Sequence, residues 1–338
     1  MIYDLCIAGA GPAGAISAIL AARDGARVLL FDAGLPSVTW TETLAPIGAS
    51  LLHGAHVDVR LLPVQAVRCS GSESQWAGAR DRLAAITNPW GNAWHLRRPH
   101  FDHALKAEAE RLGVCVLRAR LTGLSRTAQG FHAHAAGSDV TCRRFIDATG
   151  ASARAARLLG VQRDIFDRQV ALAVTVATEH DSALAVATLE HGWCYRAPAA
   201  EGSVDVVTIT DQPALQERGL SALLADAFAA LGVAGVPSQP ARRRAVLWQA
   251  LGGALPENFR AVGDAAWTAD PLSGQGLSLA VASALGAAGN REASARPTLR
   301  EHIRARAALY ASSRYASAAY YQRRLNAGRI AQELAHEN

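Results

Sequence analysis

The chain opens on apolar runs of two lengths. Residues 2–8 are a short, mainly apolar stretch, and residues 28–31 (VLLF) are a second one closed by Asp32. Between them, residues 13–23 are long enough for a helix and rich in Ala, Ile and Leu. Short continuous runs on either side of a helix-length stretch predict strand, helix, strand with parallel, buried strands. The pattern then breaks. Residues 41–46 are polar and stopped by Pro46, and residues 47–53 could form a short helix. Residues 54–96 read as irregular or β-rich, with turn signals at 70–72 and 88–89. Pro99 sits near the start of a helix whose apolar positions, Leu105, Ala109 and Leu112, recur at helical spacing until Gly113 stops it.

Further on, period-two patterns dominate. Residues 114–117 read as a strand, and alternating strands run from 121 to 145 with turns near Gly130 and Gly137. Residues 145–147 lead into the small-residue turn Ala148-Thr149-Gly150, and 152–154 is a candidate helix start. Residues 169–176, 184–189, 193–198 and 203–210 read as strands of an antiparallel sheet inserted into the parallel fold, and residues 220–231 as a helix. Arg242-Arg243-Arg244 opens another β segment. Residues 259–264 read as a strand ending in an acid. A loop at 270–277 opens a helix over 278–288, and an Arg-rich helical stretch covers 298–334.

The first strand–helix junction carries chemistry. Gly9, Gly11 and Gly14 form G-x-G-x-x-G directly after the strand. Gly9 permits the turn, Gly11 lets a pyrophosphate approach the backbone, and Gly14 lets helix and strand pack closely. The helix N-terminus offers free N–H groups and a partial positive charge of roughly half a unit. Asp32, about 20 residues on, is placed to accept hydrogen bonds from a ribose. Residues 5–22 carry no charge over a transmembrane length. Four Gly or Pro residues crowd the middle of that stretch, Asp4 and Arg23 bracket it, and no signal-peptide features accompany it. It therefore reads as a buried strand and helix, not a membrane span.

Composition narrows the function classes. The 338 residues suggest about two domains. The formal net charge is +5, but the arginines are scattered and no block of like charge appears, so nucleic-acid binding is not indicated. Of 34 basic residues only Lys106 is a lysine. Five cysteines, odd in number and without C-x-x-C, indicate neither a zinc site nor a disulfide framework, and fit a reduced, cytoplasmic protein. His53-x-x-His56 and His132-x-His134 lack accompanying carboxylates, so no metal site is expected. His53, His56, His95 and His100 stay open as acid–base candidates. Trp76, Trp90 and Trp94 read either as core or as the wall of an aromatic pocket.

The motifs also come in a particular order. G-x-G-x-x-G and the acid after the second strand are followed by E-x-x-x-P (residues 42–46), R-x-x-F-D (98–102) and D-A-T-G (147–150). G-D (263–264) and P-L-S-G-Q-G-L (271–277) complete the series. In this order the chain resembles the FAD-dependent monooxygenase superfamily that shares the para-hydroxybenzoate hydroxylase fold. Within it, the nearest groups are the tryptophan halogenases, the geranylgeranyl reductases and the flavoproteins that mature quinone-cofactor oxidases. The resemblance implies an α/β fold with a Rossmann-like FAD-binding domain (1–60, 97–160, 255–338), an inserted antiparallel substrate domain (61–96, 161–254) and a helical C-terminus.

It also implies roles. Gly9, Gly11, Pro12, Ala13 and Gly14 would hold the FAD pyrophosphate, and Asp32 with Ala33 the adenosine ribose. Glu42 and Arg98 would lie along the cofactor, and Ala148, Thr149 and Gly150 would close the pocket around it. Gly263 and Asp264 would meet the ribityl chain. Pro271, Gly274, Gln275, Gly276 and Leu277 would run beside the isoalloxazine. Residues 192–198 (GWCYRAP) resemble the halogenase element W-x-W-x-I-P, with Tyr195 for its second Trp and Ala197 for its Ile. Trp193, Tyr195 and Gln275 are thereby catalytic candidates.

The halogenases look to use a lysine between the E-x-x-x-P and R-x-x-F-D segments to carry the oxidised halogen. Residues 43–97 contain none. An arginine cannot replace it, because it is not deprotonated at working pH. The expected reaction is therefore hydroxylation of an aromatic or peptidyl, tryptophan-like substrate through a flavin hydroperoxide. Alkene reduction of the geranylgeranyl reductase type and maturation of a quinone-cofactor enzyme are the alternatives. The substrate would be a small aromatic or a partner protein's tryptophan. Without a second G-x-G-x-x-G, electrons would come from an external donor or a flavin reductase.

Overall fold

A computed structural model describes residues 2–35, 38–57, 66–76, 78–200, 202–252, 254–268 and 270–288. The stretch expected to be helical at 298–334 lies outside them. Strands β1 (Ile2–Ala8), β2 (Val28–Phe31), β3 (Thr41–Leu44), β4 (Ala66–Arg68), β5 (Gly71–Trp76), β6 (Ala79–Ala84), β7 (Trp94–Arg97) and β8 (Cys115–Leu117) come first. Next are β9 (Leu121–Thr127), β10 (Gly130–Ala135), β11 (Ser138–Asp147), β12 (Arg163–Ala177) and β13 (Leu184–Leu189). The last are β14 (Gly192–Ala200), β15 (Ser203–Thr210), β16 (Arg242–Leu251) and β17 (Phe259–Ala261). The α-helices are α1 (Pro12–Arg23), α2 (Pro46–Gly54), α3 (Arg98–Arg111), α4 (Arg154–Leu158), α5 (Gln212–Leu231) and α6 (Gly276–Ala288).

The first sheet has a parallel centre. β2, β11 and the strands beyond them flank β1 in the order β8-β2-β1-β11, and β17 joins β11 in parallel on its far side. Period two explains how β1 is buried on both faces. Leu5 and Ile7 join the layer of α1, α3 and α6, while Cys6 and Ala8 join Phe31, Phe131, Phe145 and Phe259 beneath. β9 and β10 extend the sheet as an antiparallel hairpin.

A second sheet runs β16-β12-β15-β14-β13-β5-β6 and is antiparallel except for the β13–β5 pair. Alternation again sorts its faces. Trp193, Val207 and Ile209 point to one side, and Cys194, Val204 and Val206 point to the other, against α5. A third sheet, β3-β7-β4, bridges the two halves. The polar stretch 41–46 is thus partly a strand, because β7 supplies its ladder partners and Leu44 is buried. α5 starts eight residues earlier than its apolar spacing suggests, with Asp211 capping it through Ala214 N–H and a break at Gly219. The strand before Asp264 ends at Ala261, which leaves the acid in a 3-10 turn. Among the described residues no helix is long and apolar enough to cross a membrane.

Candidate cofactor and substrate site

The carboxyl ends of β1, β11 and β17 lie side by side, since Ala8 pairs with Asp147 and Asp147 with Ala261. Three turns leave this one edge: 9–11, 148–150 and 263–265. Open parallel sheets bind their ligands at such an edge. The glycines divide the work in a way the backbone makes measurable. Gly9 has φ +106°, and a Cβ there would stand 2.2 Å from Ala148 O. A Cβ on Gly14 would stand 1.9 Å from Gly9 O. These two are glycine because protein fills the space. A Cβ on Gly11 would meet nothing within 4 Å. Gly11 is the N-cap of α1, has extended dihedrals and supplies no side-chain cap, and Pro12 follows as the first helical residue. The next N–H groups of α1, from Ala13 and Gly14, are therefore left to a ligand.

Around this edge the turns are fastened by buried groups. Asp147, fully buried, accepts from Thr149 N and Oγ1 (2.9 and 2.6 Å) and from Ala156 N (2.8 Å). Burial still pushes its carboxyl above the usual range, against the pull of those hydrogen bonds. Thus Asp147 shapes the Ala148-Thr149-Gly150 turn and faces no ligand. Gly263, at φ +56°, brings its backbone to within 3.0 Å of Ala13 for an added Cβ, so the 263–264 turn abuts the start of α1.

Asp32 ends β2. Its Oδ2 receives Lys106 Nζ at 2.7 Å, and its Oδ1 receives Gly34 N at 3.0 Å. Burial works to raise this carboxyl, but the Lys106 and Gly34 hydrogen bonds outweigh it and hold it low. Ala33, beside it, is exposed. The chain's one lysine therefore sits at the putting-out end of β2, at the acid expected to meet the adenosine ribose.

Arg98 is the hub of a second cluster. It donates to Glu42 Oε2 at 2.5 Å and forks onto Asp102 at 2.9 and 3.1 Å. Its neighbours hold the guanidinium firmly charged in spite of burial. Asp264 lies in the field of the same group. Burial raises its carboxyl, Glu42 raises it further, and Arg98 and Arg244 oppose the shift.

The strand expected to face the ring and the loop expected beside it do come together. Trp193 and Tyr195 stack at 6.0 Å between centroids, and Leu272 of the 271–277 loop packs in their cluster with Trp40 and Trp76. Trp193 is 3% exposed, and its Nε1–H has no hydrogen-bond partner among the described residues. Tyr195 Oη donates to Thr41 O at 3.3 Å, and burial, with Glu42 and Asp205 nearby, raises its phenol well above the usual value. Pro271–Ser273 is a 3-10 turn capped by Asp270, while Gly274, Gln275 and Gly276 are exposed and Leu277 is buried at the start of α6. Of the other tryptophans, Trp76 is core, Trp94 is half-buried under Arg68, and Trp90 is 58% exposed.

Several contributors escape a linear reading. Asp205 on β15 accepts from Thr41 N and Oγ1 with one oxygen (2.7 and 3.0 Å). Its other oxygen accepts from Thr175 Oγ1 and Arg242 (2.6 and 2.9 Å). This tie seats β3, and with it Glu42, on the second sheet. Asp102 and Lys106 had a signal: with Arg98 they form an i, i+4, i+8 stripe on α3. Asp205 had none, because its partners are 30 to 164 residues away.

Two of the histidine candidates resolve. His95 is buried, with Nδ1 on Thr43 Oγ1 (2.9 Å) and Nε2 on Ser182 O (2.9 Å), so both ring nitrogens are in use. A carbonyl can only accept, which fixes a proton on Nε2. His100 is exposed on α3. Burial depresses the His95 pKa, so the unfolded chain binds its proton first. The sign follows from linkage. Stability from His95 is fully present above the unfolded value of about 6.5 and is lost as pH falls below it. Urea midpoints measured from pH 7.5 down to 5.0 should decline more steeply for the wild type than for His95→Gln.

Known proteins share this fold. LodB of Marinomonas mediterranea, whose name assigns it to the FAD-dependent oxidoreductases, is 27% identical over 317 residues, spanning 83% of this chain and 82% of LodB. The peptidyl tryptophan dihydroxylase QhpG, described as essential for tryptophylquinone cofactor biogenesis, superposes with a TM-score of 0.65. It is 25% identical and covers 98% of this chain and 72% of QhpG. The flavin-dependent halogenase CmlS shares the fold with a TM-score of 0.75 at 23% identity, over 96% of this chain and 62% of CmlS. The protein is an FAD-dependent oxidoreductase, and it has the α/β fold shared by flavin halogenases and monooxygenases. Residues 63–288 match the tryptophan halogenase family, and to that family this chain belongs.

Proposed function

We propose that the protein is a flavin monooxygenase that hydroxylates an indole, that of a tryptophan within a partner protein. The position of Lys106 carries this reading. A halogenating site needs an amine beside the substrate, and the chain's one lysine is committed to Asp32 at the end of β2 in the first sheet, whereas Trp193 lies on the second. QhpG, described as a peptidyl tryptophan dihydroxylase, supports the choice of substrate class.

The residues present fit FAD. Gly11 leaves a cradle that a Cβ would fill, the first N–H groups of α1 are free for phosphate, and Asp32, Arg98 and Asp264 offer polar groups. When bound, FAD supplies the redox and oxygen-transfer chemistry. The chain's own task is placement. Gly9, Gly14 and Asp147 hold the turns, Lys106 keeps Asp32 charged and aimed, and Glu42 orients Arg98. Trp193, Tyr195 and Leu272 wall the reacting space and exclude water. Gly276 presents its backbone N–H at the start of α6, where developing negative charge is stabilised, while the N–H groups of Gly274 and Gln275 are taken up by Pro271 O and Ser273 Oγ and hold the loop in shape. The division into residues 1–60, 97–160 and 255–338 for cofactor and 61–96 with 161–254 for substrate belongs to this proposal. The five free thiols fit a reducing, cytoplasmic setting.

The FAD-loaded protein, chemically reduced and mixed with ¹⁸O₂ and tryptophan-containing peptides, should yield products heavier by labelled oxygen. Added bromide or chloride should leave no halogen in them by mass spectrometry. A halogenated product that depends on the protein would overturn the proposal.

A further inference from the structure

Arg242, Arg243 and Arg244 are adjacent in sequence and have three different fates. Arg242 is the partner of Asp205 and also donates to Thr39 O. Arg243 points to the other face of β16 and donates to Gln212 Oε1 of α5. Arg244 returns to the face of Arg242, is exposed, and has no hydrogen bond or ion pair to any described residue. A charged side chain on a strand next to two that are engaged calls for a reason.

The register supplies it. Arg244 stands opposite Ala171, Ala171 opposite Ile209, and Ile209 opposite Trp193. Directly opposite residues share a face. One row across the sheet thus runs from a guanidinium to an indole over Ala171 and Ile209. Three strand spacings of about 4.8 Å separate the ends, roughly 14 Å. The neighbouring row runs Arg242, Ala173, Val207, Tyr195, and its arginine is neutralised by Asp205. Leu272 and Val246 pack against the cluster that contains Ala171, Ala173, Val207, Ile209 and Trp193. Arg244 also lies within electrostatic reach of Asp264, in the 263–265 turn of the first sheet's edge. The Arg98 charge in that region is already matched by Glu42 and Asp102. Of the two arginines on this face of β16, Arg242 has a carboxylate partner and Arg244 has none among the described residues.

We infer that Arg244 is a specificity-determining residue that receives a carboxylate carried by the indole substrate. The carboxylate is that of a small indole acid or of an acidic residue next to the target tryptophan in a peptide, and the test below distinguishes the two. The inference rests on the indole reading above. A guanidinium fork suits a planar carboxylate, and a lysine would hold it less well.

The test uses the FAD-loaded full chain and calorimetric titration, without turnover. One probe pair is indole-3-propionate and indole-3-propionamide. The other is N-acetyl-Asp-Trp-amide and N-acetyl-Asn-Trp-amide. Wild type should bind the charged member at least tenfold more tightly in one pair or both, and which pair shows it identifies the source of the carboxylate. Arg244→Gln should abolish the preference and Arg244→Lys should keep part of it, both with FAD affinity and melting temperature unchanged. A preference that survives in Arg244→Gln, or is missing from both pairs in the wild type, overturns the inference. So does a loss of FAD affinity in Arg244→Gln, which would assign the arginine to the cofactor. Labelled-oxygen analysis separates this result from the function: a charge preference without oxygen transfer keeps the subsite and removes the monooxygenase reading, and the reverse result does the opposite.

Discussion

Gly11→Val will fold like the wild type and fail to bind FAD. The added Cβ meets nothing within 4 Å, and the extended backbone of Gly11, φ −74° and ψ −176°, is one any residue adopts. The isolated protein therefore has no steric reason to object. The cofactor does, because the pyrophosphate must come to the backbone at the start of α1. Fluorescence titration should show FAD affinity reduced by at least about a hundredfold, roughly 2.7 kcal/mol or more. Melting temperature without FAD should be unchanged. Gly14→Val is the control with the opposite outcome. Its Cβ would stand 1.9 Å from Gly9 O, so helix and strand must separate and the protein itself should be destabilised. Wild-type FAD affinity in Gly11→Val would show that the pyrophosphate lies elsewhere.

Arg98→Met will be damaged before any cofactor is added. Arg98 is the one cation between Glu42 and Asp102, with side chains 15%, 29% and 12% exposed. Asp264 lies in the same field. Removing the cation leaves carboxylates facing each other in a poorly solvated place. Breaking such a buried pair costs about 3–5 kcal/mol, and the partial exposure of Glu42 points to the lower end. Urea unfolding should show that loss, and FAD affinity should fall as well. Adding Glu42→Gln to Arg98→Met should recover part of the stability, because it removes one uncompensated charge. A variant as stable as wild type, with FAD bound normally, would show that the cluster is solvated and remote from the cofactor. Arg98→Lys should fall between, since an ammonium cannot fork onto Asp102 while reaching Glu42.

These two expectations show where sequence suffices. The G-x-G-x-x-G junction was legible because its determinants are local. A strand, three glycines and a helix within 23 residues impose their own geometry, and the structure adds only which glycine faces protein and which faces space. The same holds for the strand alternation that put Trp193 and Tyr195 on one face and Cys194 on the other. R-x-x-F-D was legible as a motif, and the bond from Arg98 to Asp102 follows from helical spacing.

Contacts between distant segments were not legible. Nothing near Thr41 announces that Asp205, 164 residues on, will accept its N–H. The polar look of residues 41–46 argued against a strand, and only the ladder offered by β7 made one. Lys106 read as an ordinary helix residue until β2 brought Asp32 within 2.7 Å of it. Arg242, Arg243 and Arg244 are chemically identical in sequence, and the sheet register alone gave one a carboxylate, one an amide and one an open face. By itself the sequence determined the nucleotide-binding turn, the two kinds of sheet and the absence of a lysine from 43–97, because these depend on short-range periodicity and composition. Tertiary structure decided which charges are neutralised and which remain free, because pairing is set by distances that the chain closes only when its sheets are assembled.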